Sequence, residues 1–556
     1  MLGQRSQASL WSSHQMVPRP ECQGPHGCAN MAWRMEPGGY LRQILNARVY
    51  DVAIETDLQE APRLSEELGN TILLKREDMQ PVHSFKVRGA FNRLSQMTQE
   101  QLVKGVICAS AGNHAQGVAL AARNLGCPAR ICMPITASTI KVDAVRRLGG
   151  IIELVGQTYA EAQTYAQAEA KQHGLVFISA FDDPLIIAGT GTMGLEILRN
   201  CSTAQLRTLH AIFVPVGGGG MIAGIAAYVK AVNPQIKIFG VEPTGANAMA
   251  ISLKQGHRVK LSSIDVFADG VAIKQPGAEC FRICRELVDG ILLVDNAATS
   301  AAVKDVFNET RSILEPAGAV SVAGVKAYLK ARPDIKGQTM VAVTSGANIN
   351  FDRLRLVAEL ADLGAQREAM LATTITGVPG SLKAFVDCAL KVKDINFTEL
   401  RHRYTAGRPC HVLWSVGVQR DQQLRDLLAQ LNSTGLATKD ISGIEAAQVH
   451  LRHLVGGRAR GSPVSEDMQN ERLYTVDIPE RRGAIQQLLD VISPHWNVTL
   501  FHYRKTGARS SAVLLGLQVP VEADERFFAE VGTLAPEFNF TELKTDARQI
   551  FDMFLQ

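Results

Sequence analysis

Lys86 lies in the run KREDMQPVHSFKVRG, Lys75 to Gly89, after Ser84 and Phe85 and before the short amphipathic segment VRGAFNRL. That spacing puts the lysine near a helix N-terminus, where the dipole and positive potential favour the neutral amine, the form that attacks an aldehyde. Alone, it reads as a solvated surface lysine. Three further runs argue otherwise. GGGG, Gly217, Gly218, Gly219 and Gly220, follows the strand-like AIFVPV and precedes the helical MIAGIAAYVK. Backbone N–H groups without side chains at a helix start form a nest suited to a phosphate. In SAGNHAQG, the residues Ser110, Ala111, Gly112, Asn113 and His114 offer backbone donors for a carboxylate, and the Asn113 amide can donate to a phenolic oxygen. Capping turns would explain Ser110 and Asn113 separately, and His114 reads as a structural histidine. Ser345, ending MVAVTS, could hydrogen-bond a ring nitrogen or cap a turn, and residue chemistry leaves both open.

These runs need a scaffold that delivers them to one place. From about Tyr40 to Leu360, short β-rich runs alternate with helical patterns, the signature of an α/β domain with a buried, mostly parallel sheet. The strands are read at Gly105 to Ser110, Ala129 to Pro134, Ala211 to Val216, Lys237 to Glu242 and Met340 to Ser345. Ligands of such sheets sit beyond the carboxyl ends of the strands, where these glycine-bearing turns fall. After about Asp362 two stretches resemble one another. Val378 to Leu390, Asn396 to Tyr404 and His411 to Val418 are echoed by Glu480 to Ile492, Asn497 to Arg504 and Ala512 to Val519, giving a tandem βαββ-like unit. The stretch GGRARGSP, Gly456 to Pro463, reads as linker or surface loop.

At 556 residues the chain is too long for one ordinary core. A hydrophobic share of 46% with 20% charged residues is the balance of a globular protein that can bury a core. A net charge of +4, with no basic run interleaved with aromatics, supports neither a nucleic-acid nor a membrane-surface role, and a small-molecule ligand is expected. The ten cysteines lack C-x-x-C pairing, which points to reduced thiols in a cytoplasmic protein without a disulfide framework or zinc site. Ala211 to Val229 is uncharged, but its four glycines make it strand, loop and helix rather than a membrane span. Residues 1–35 lack periodicity and read as a disordered extension; a transit peptide or a start at Met31 or Met35 are the alternatives.

Taken in order, KREDMQPVHSFKVRGAFN, ASAGNHAQGVALAA, FDDPLIIAGTGT, PVGGGGMIAG and TSGAN, followed by the paired repeats, resemble the biosynthetic threonine deaminases (threonine ammonia-lyases), a fold-type II pyridoxal-phosphate family. The resemblance covers roughly Tyr40 to the C-terminus. It implies an α/β catalytic domain of two parallel or mixed-sheet subdomains over residues 36–364, then two α+β ACT-like repeats at 369–440 and 471–549, joined by a linker at 441–470. It implies that Lys86 holds pyridoxal 5'-phosphate as a Schiff base and is the general base, that Phe85 lies against the ring, and that Asn113 contacts the phenolic oxygen. By the same resemblance Gly217 to Gly220 with Met221 cradle the phosphate, Ser345 faces the pyridine nitrogen, and the Ser110 to His114 loop holds the substrate carboxylate. No metal is implied.

The reaction so implied is dehydration and deamination of L-threonine to 2-oxobutanoate and ammonia, the step that commits carbon to isoleucine, with isoleucine as inhibitor, valine as a further effector and a homotetrameric assembly. L-serine would give pyruvate. The sequence departs from the family pattern at Asp57, where proline is frequent, at Thr190, at Met221, and at TGVPGS in the first repeat, where the second keeps IPERRG. A serine dehydratase or racemase is one rival, because a cofactor site does not fix the substrate. A non-catalytic amino-acid sensor is another, and a dimerisation module is the alternative for the repeats.

Overall fold

The computed structural model describes residues 16–18, 39–135, 137, 139–364, 368–393, 395–404, 409–418, 421–442, 470–479, 481, 483–504, 510–535 and 537–543. Most of the N-terminal extension and of the expected linker therefore lies outside the described residues. The chain divides into two units, Met1–Gly364 and Ala365–Gln556.

The described residues of the first unit form two sheets. The larger has seven strands in the order Met16–Pro18, Gly290–Val294, Lys237–Pro243, Leu209–Pro215, Thr339–Val343, Thr71–Lys75 and Leu58–Glu60. Its two edge strands run antiparallel and its inner strands parallel. The smaller holds Ile151–Leu154, Ala129–Met133, Val106–Ala109 and Val176–Phe177, all parallel. Every residue of Val106–Ala109 and of Thr339–Val343 is buried, which is why these strands read as unbroken apolar runs: helices cover both faces of a parallel sheet. The runs Ser110 to His114, Gly217 to Gly220 and Ser345 follow the carboxyl ends of three of these strands.

Three helices fix the spacing between those loops: Lys86–Leu94, Pro184–Asn200 and Gly220–Val232. Pro184 stands in the first turn of the middle helix, and the Asp183 carboxylate accepts from the Leu185 and Ile186 amides. A methyl at Gly189 would lie 2.7 Å from the Arg88 carbonyl, and one at Gly191 2.9 Å from the Gly224 carbonyl. The AGTG glycines thus let this helix touch backbone on both sides. Around it Ile187, Met193, Ile222, Ile225 and Val229 are buried in one cluster, each such side chain stabilising by about 1.5–3 kcal/mol.

The second unit extends the expected repeat. Each copy is βαββαβ rather than βαββ, because a further helix and a short strand follow the third strand: Asp421–Ser433 with Thr438–Asp440, and Asp524–Gly532 with Asn539–Glu542. The eight strands among the described residues form one sheet, in the order Thr438–Asp440, Glu368–Ile375, Cys410–Gly417, Asn396–Arg403, Asn497–Arg504, Ser510–Gln518, Glu471–Pro479 and Asn539–Glu542. The copies meet where Glu399–Arg403 pairs antiparallel with Leu500–Arg504. The dissimilar turns TGVPGS and IPERRG converge on one device. Gly380 at φ 84° and Gly483 at φ 80° open the helices Ser381–Ala389 and Ala484–Ile492 in a left-handed conformation that favours glycine. Among the described residues no helix is long and apolar enough to cross a membrane.

Candidate active site

Lys86 is the first residue of its helix, and backbone bonds join its approach to the Ser345 loop. The Phe85 amide donates to the Ser345 carbonyl at 3.2 Å and the Ala347 amide to the His83 carbonyl at 2.9 Å. His83 takes φ 53°, a turn that a non-glycine residue adopts only when its surroundings hold it there. From the other side the helix Asn113–Asn124 lies close, since a methyl at Gly117 would sit 3.0 Å from the Lys86 carbonyl carbon.

The Lys86 ammonium donates to the Ala180 carbonyl at 2.7 Å. Burial pushes its pKa down to about 8 against the pull of Cys280 and Glu315. The easier loss of its proton thus comes first from desolvation, a correction to the helix-dipole cause expected from local sequence. Phe181, next in the chain to Ala180, backs the glycine loop. A methyl at Gly218 would fall 2.2 Å from its ring, and one at Gly220 2.9 Å from its carbonyl oxygen. Gly219 has φ 98° and caps the helix Gly220–Val232. Among the described residues no backbone carbonyl accepts from the amides of Gly217 to Gly220, so a row of donors is left at the helix start. Met221 is buried in the core, which leaves only its backbone to face a ligand. Asp182 accepts from the amides of Ala278, Glu279 and Cys280, and the Gly277 amide donates to the Gly218 carbonyl, tying the loop to the next helix.

The Ser110 loop is partly self-satisfied: the Gly112 amide donates to Ser110 Oγ at 3.2 Å. Asn113 Nδ2 donates to Glu315 at 2.6 Å and Asn113 Oδ1 accepts from Asn348 at 2.8 Å. His114 is buried, its Nε2 lies 3.1 Å from the Ile178 carbonyl, and burial with the nearby Lys86 pushes its pKa down to about 3. It is therefore a neutral, structural histidine. Ser345 is buried with Oγ 3.4 Å from the Ala317 carbonyl. Thr190 Oγ1 lies within reach of the Ile187 and Gly220 carbonyls, at 2.9 and 3.0 Å, so this departure from the family pattern touches the glycine loop.

Behind Lys86 lies a fully buried ion cluster that sequence reasoning missed. Arg88 holds Glu77 through Nε and Nη2, both at 2.7 Å, and Glu196 through Nη1 and Nη2 at 2.5 and 2.8 Å. Lys75 Nζ donates to Glu196 at 2.5 Å and to the Thr56 carbonyl at 2.6 Å. Burial opposes charge on Glu196, yet Arg88 and Lys75 keep its pKa below the usual carboxylate range. Two cations and two carboxylates balance, and the helix bearing Lys86 is anchored two residues from the amine. The charged string KRE was the available signal, because its lysine closes the otherwise uncharged strand Thr71–Lys75.

In the second unit a small pocket is lined by Leu390, Phe397, Ile478, Arg481, Ile485 and Tyr503, among others, and so draws on both repeats.

Residues 49–346 match the family described as pyridoxal-phosphate dependent enzyme. Residues 359–451 and 463–547 match the C-terminal regulatory domain of threonine dehydratase. The chain is 51% identical to threonine dehydratase 1 biosynthetic, chloroplastic, of Solanum lycopersicum, over 91% of its own length and 81% of that relative. The chain belongs to the threonine dehydratase family. It is also 49% identical to the L-threonine dehydratase biosynthetic IlvA of Burkholderia multivorans, over 89% of this chain and 96% of that one. A solved structure of the processed form of threonine deaminase isoform 2 from Solanum lycopersicum superposes with a TM-score of 0.59 at 50% identity, covering 64% of this chain and 93% of that one. Pyridoxal phosphate is the family's cofactor, and the cleft suits it. The glycine loop has amides to offer a phosphate and packs its backbone against Phe181, Val271 and Met249 too closely for any Cβ, and Lys86 has an amine whose charge is weakly held.

Proposed function

We propose that this chain removes the β-hydroxyl and the amino group of L-threonine, giving 2-oxobutanoate and ammonia, as the committed step of isoleucine synthesis. The observation that carries the reading is the placing of Lys86 at a helix start, its amine on the Ala180 carbonyl beside the glycine loop and its approach through His83 and Phe85 bonded to the Ser345 loop. Lys86 anchors the cofactor. The amides of Gly217 to Gly220 and Met221 hold its phosphate, Phe85 lies against the ring, Asn113 meets the phenolic oxygen and Ser345 the pyridine nitrogen. Bound there, pyridoxal phosphate supplies an aldehyde for the substrate amine and a conjugated ring that withdraws the electrons left when the α-proton goes. Backbone amides of the Ser110 to His114 loop orient the carboxylate, Gly112 by exchanging its bond to Ser110 for one to substrate. The Lys86 amine, freed by substrate, takes the α-proton as general base, and the β-hydroxyl departs with a proton as water. Water then hydrolyses the released enamine to 2-oxobutanoate and ammonia. Purified protein with pyridoxal phosphate should form 2-oxobutanoate from L-threonine, and lack of product would end this reading. L-serine is expected as a slower substrate yielding pyruvate, and a strong serine preference would favour the serine-directed relatives instead.

The same proposal assigns catalysis to residues 36–364 and regulation to the repeats at 369–440 and 471–549, with isoleucine as inhibitor and valine as opposing effector. The lining of the small pocket shared by the repeats supports it: Leu390, Phe397, Ile478 and Ile485 have the apolar character that a branched aliphatic side chain needs, and Arg481, which pairs with Glu537, can exchange that carboxylate for an effector's. Filling the pocket by Ile485→Trp in the full chain should abolish isoleucine inhibition while threonine turnover persists; inhibition that survives would remove the pocket from the proposal. A homotetramer and a cytoplasmic residence belong to this reading, the latter supported by free, buried thiols such as Cys108 and Cys132. Light scattering and cell fractionation test them.

A further inference from the structure

A directed line of hydrogen bonds runs through Asn113. Asn348 Nδ2 donates to the Val82 carbonyl at 2.8 Å, which settles the orientation of that amide because a carbonyl can only accept. The same nitrogen donates to Asn113 Oδ1 at 2.8 Å. Asn113 must then turn its nitrogen toward Glu315, whose Oε1 accepts at 2.6 Å. One N–H of Asn113 is used there, and the other remains for the cleft. Glu315 is an unusual residue to find in this place. It is buried, precedes the helix Pro316–Ala331 without capping it through its side chain, and makes no ion pair among the described residues. A buried carboxyl without a cation is costly, and among the described residues the hydrogen bond it accepts comes from Asn113.

We propose that Asn348 and Glu315 are positioning residues for Asn113, and that the charge on Glu315 sets the proton affinity of the cofactor's ring oxygen. This rests on the reading that Asn113 meets that oxygen. The orientation relay is needed because an asparagine amide is nearly symmetrical in shape: turned over, it would present a lone pair to the ring oxygen and repel it. A carboxylate one residue behind the donor raises the proton affinity of the oxygen in front of it, and a neutral carboxyl does not. Burial and the nearby Asp269 raise the pKa of Glu315 to about 7, while its bond from Asn113 and the charges of Lys141 and Lys86 oppose the rise. Asp269 is itself paired with Lys141 and Arg353. The exchange of charge therefore falls in the neutral range.

The test is the visible absorbance of the full-length holoprotein followed across neutral pH, with cofactor affinity measured by fluorescence titration. The wild type should show a spectral step near neutrality. Glu315→Gln keeps the shape and the acceptor, and should bind cofactor at wild-type stoichiometry but lose the step; a step retained at the same midpoint would overturn the role of Glu315. Should that variant not fold, Glu315→Asp should keep the step at a displaced midpoint, and an undisplaced one would have the same meaning. Asn348→Asp places an acceptor against two oxygens and should weaken cofactor binding by about tenfold, the fold-change of one lost hydrogen bond. Wild-type affinity in that variant would overturn the relay. Asn113→Ala separates the layers. If it leaves spectrum and affinity unchanged, the reading of Asn113 itself is lost; if it alters both while the other variants behave as wild type, only the relay is lost.

Discussion

Replacing Gly218 by alanine would put a methyl group 2.2–2.4 Å from three atoms of the Phe181 ring, where ordinary contact begins near 3.4 Å. The ring must retreat by more than about 1 Å, and it is not free to do so. The preceding Ala180 carbonyl accepts from Lys86, the Phe181 carbonyl lies close to Gly220, and the following Asp182 is tied to three amides of the helix beginning at Ala278. Overpacking of this kind costs about 1–3 kcal/mol. Because the strain falls on both the phosphate cradle and the carbonyl facing Lys86, most of it should appear as lost cofactor affinity, roughly a tenfold to hundredfold rise in Kd. Fluorescence titration of the apoprotein with pyridoxal phosphate measures this directly. Adding Phe181→Ala should restore much of the affinity, since it removes the ring atoms that the methyl meets. Unchanged affinity in Gly218→Ala, or no rescue in the double variant, would refute the packing argument.

Glu196→Gln should destabilise the catalytic unit by about 3–5 kcal/mol, because it leaves Lys75 and Arg88 sharing Glu77 alone in a dry site. Lys75→Met added to it should recover part of the loss in thermal melts, and no recovery would argue against an electrostatic origin. Glu242 is fully buried and accepts from the amides of Met249 and Ala250, and burial raises its pKa to about 8. The native state then keeps a proton that the unfolded chain gives up above about pH 4.3, so stability should fall as pH rises from there toward 8. Urea midpoints should fall less steeply over that window in Glu242→Gln, and parallel slopes would remove Glu242 from the account. Thr190→Val, which deletes the hydroxyl near the Gly220 carbonyl, should weaken cofactor binding by several-fold, about 1 kcal/mol. Equal binding in the titration would show that Thr190 serves only its own helix, through Ile187.

The sequence made some of this site legible because its signals are local. A glycine run between a strand and a helix, or a small-residue turn at a helix start, carries its physics within a few positions. Lys86, Gly217 to Gly220 and the Ser345 loop were legible for that reason. Glu315 and Asn348 were not, since each meets Asn113 across more than 200 positions. The nearest hint was a glutamate before a helix-opening proline, where Ser, Thr, Asp or Asn is the usual cap. The cause of the Lys86 shift escaped in the same way: a helix end is visible in sequence, whereas burial is decided by distant chain. In the repeats, the glycine turn and the long strands were visible. The closing strands Thr438–Asp440 and Asn539–Glu542 are too short for alternation to show, so the fourth strand of each copy went unread.

The order of strands in the regulatory sheet is a palindrome, and its register has the same property. A shift of 101 positions carries Asn396 onto Asn497 and Arg403 onto Arg504. Applied to the central ladder, it turns the pair Glu399 with Arg504 into Arg403 with Leu500, which is also a pair of that ladder. This is the self-complementary contact of a twofold dimer, written into one polypeptide. Two separate identical copies would be bound to carry identical clefts, since any substitution would appear twice. Fusion lifts that constraint. One half can drift while the other keeps its chemistry, provided the ladder between them stays paired, and TGVPGS beside IPERRG shows that the halves have already parted.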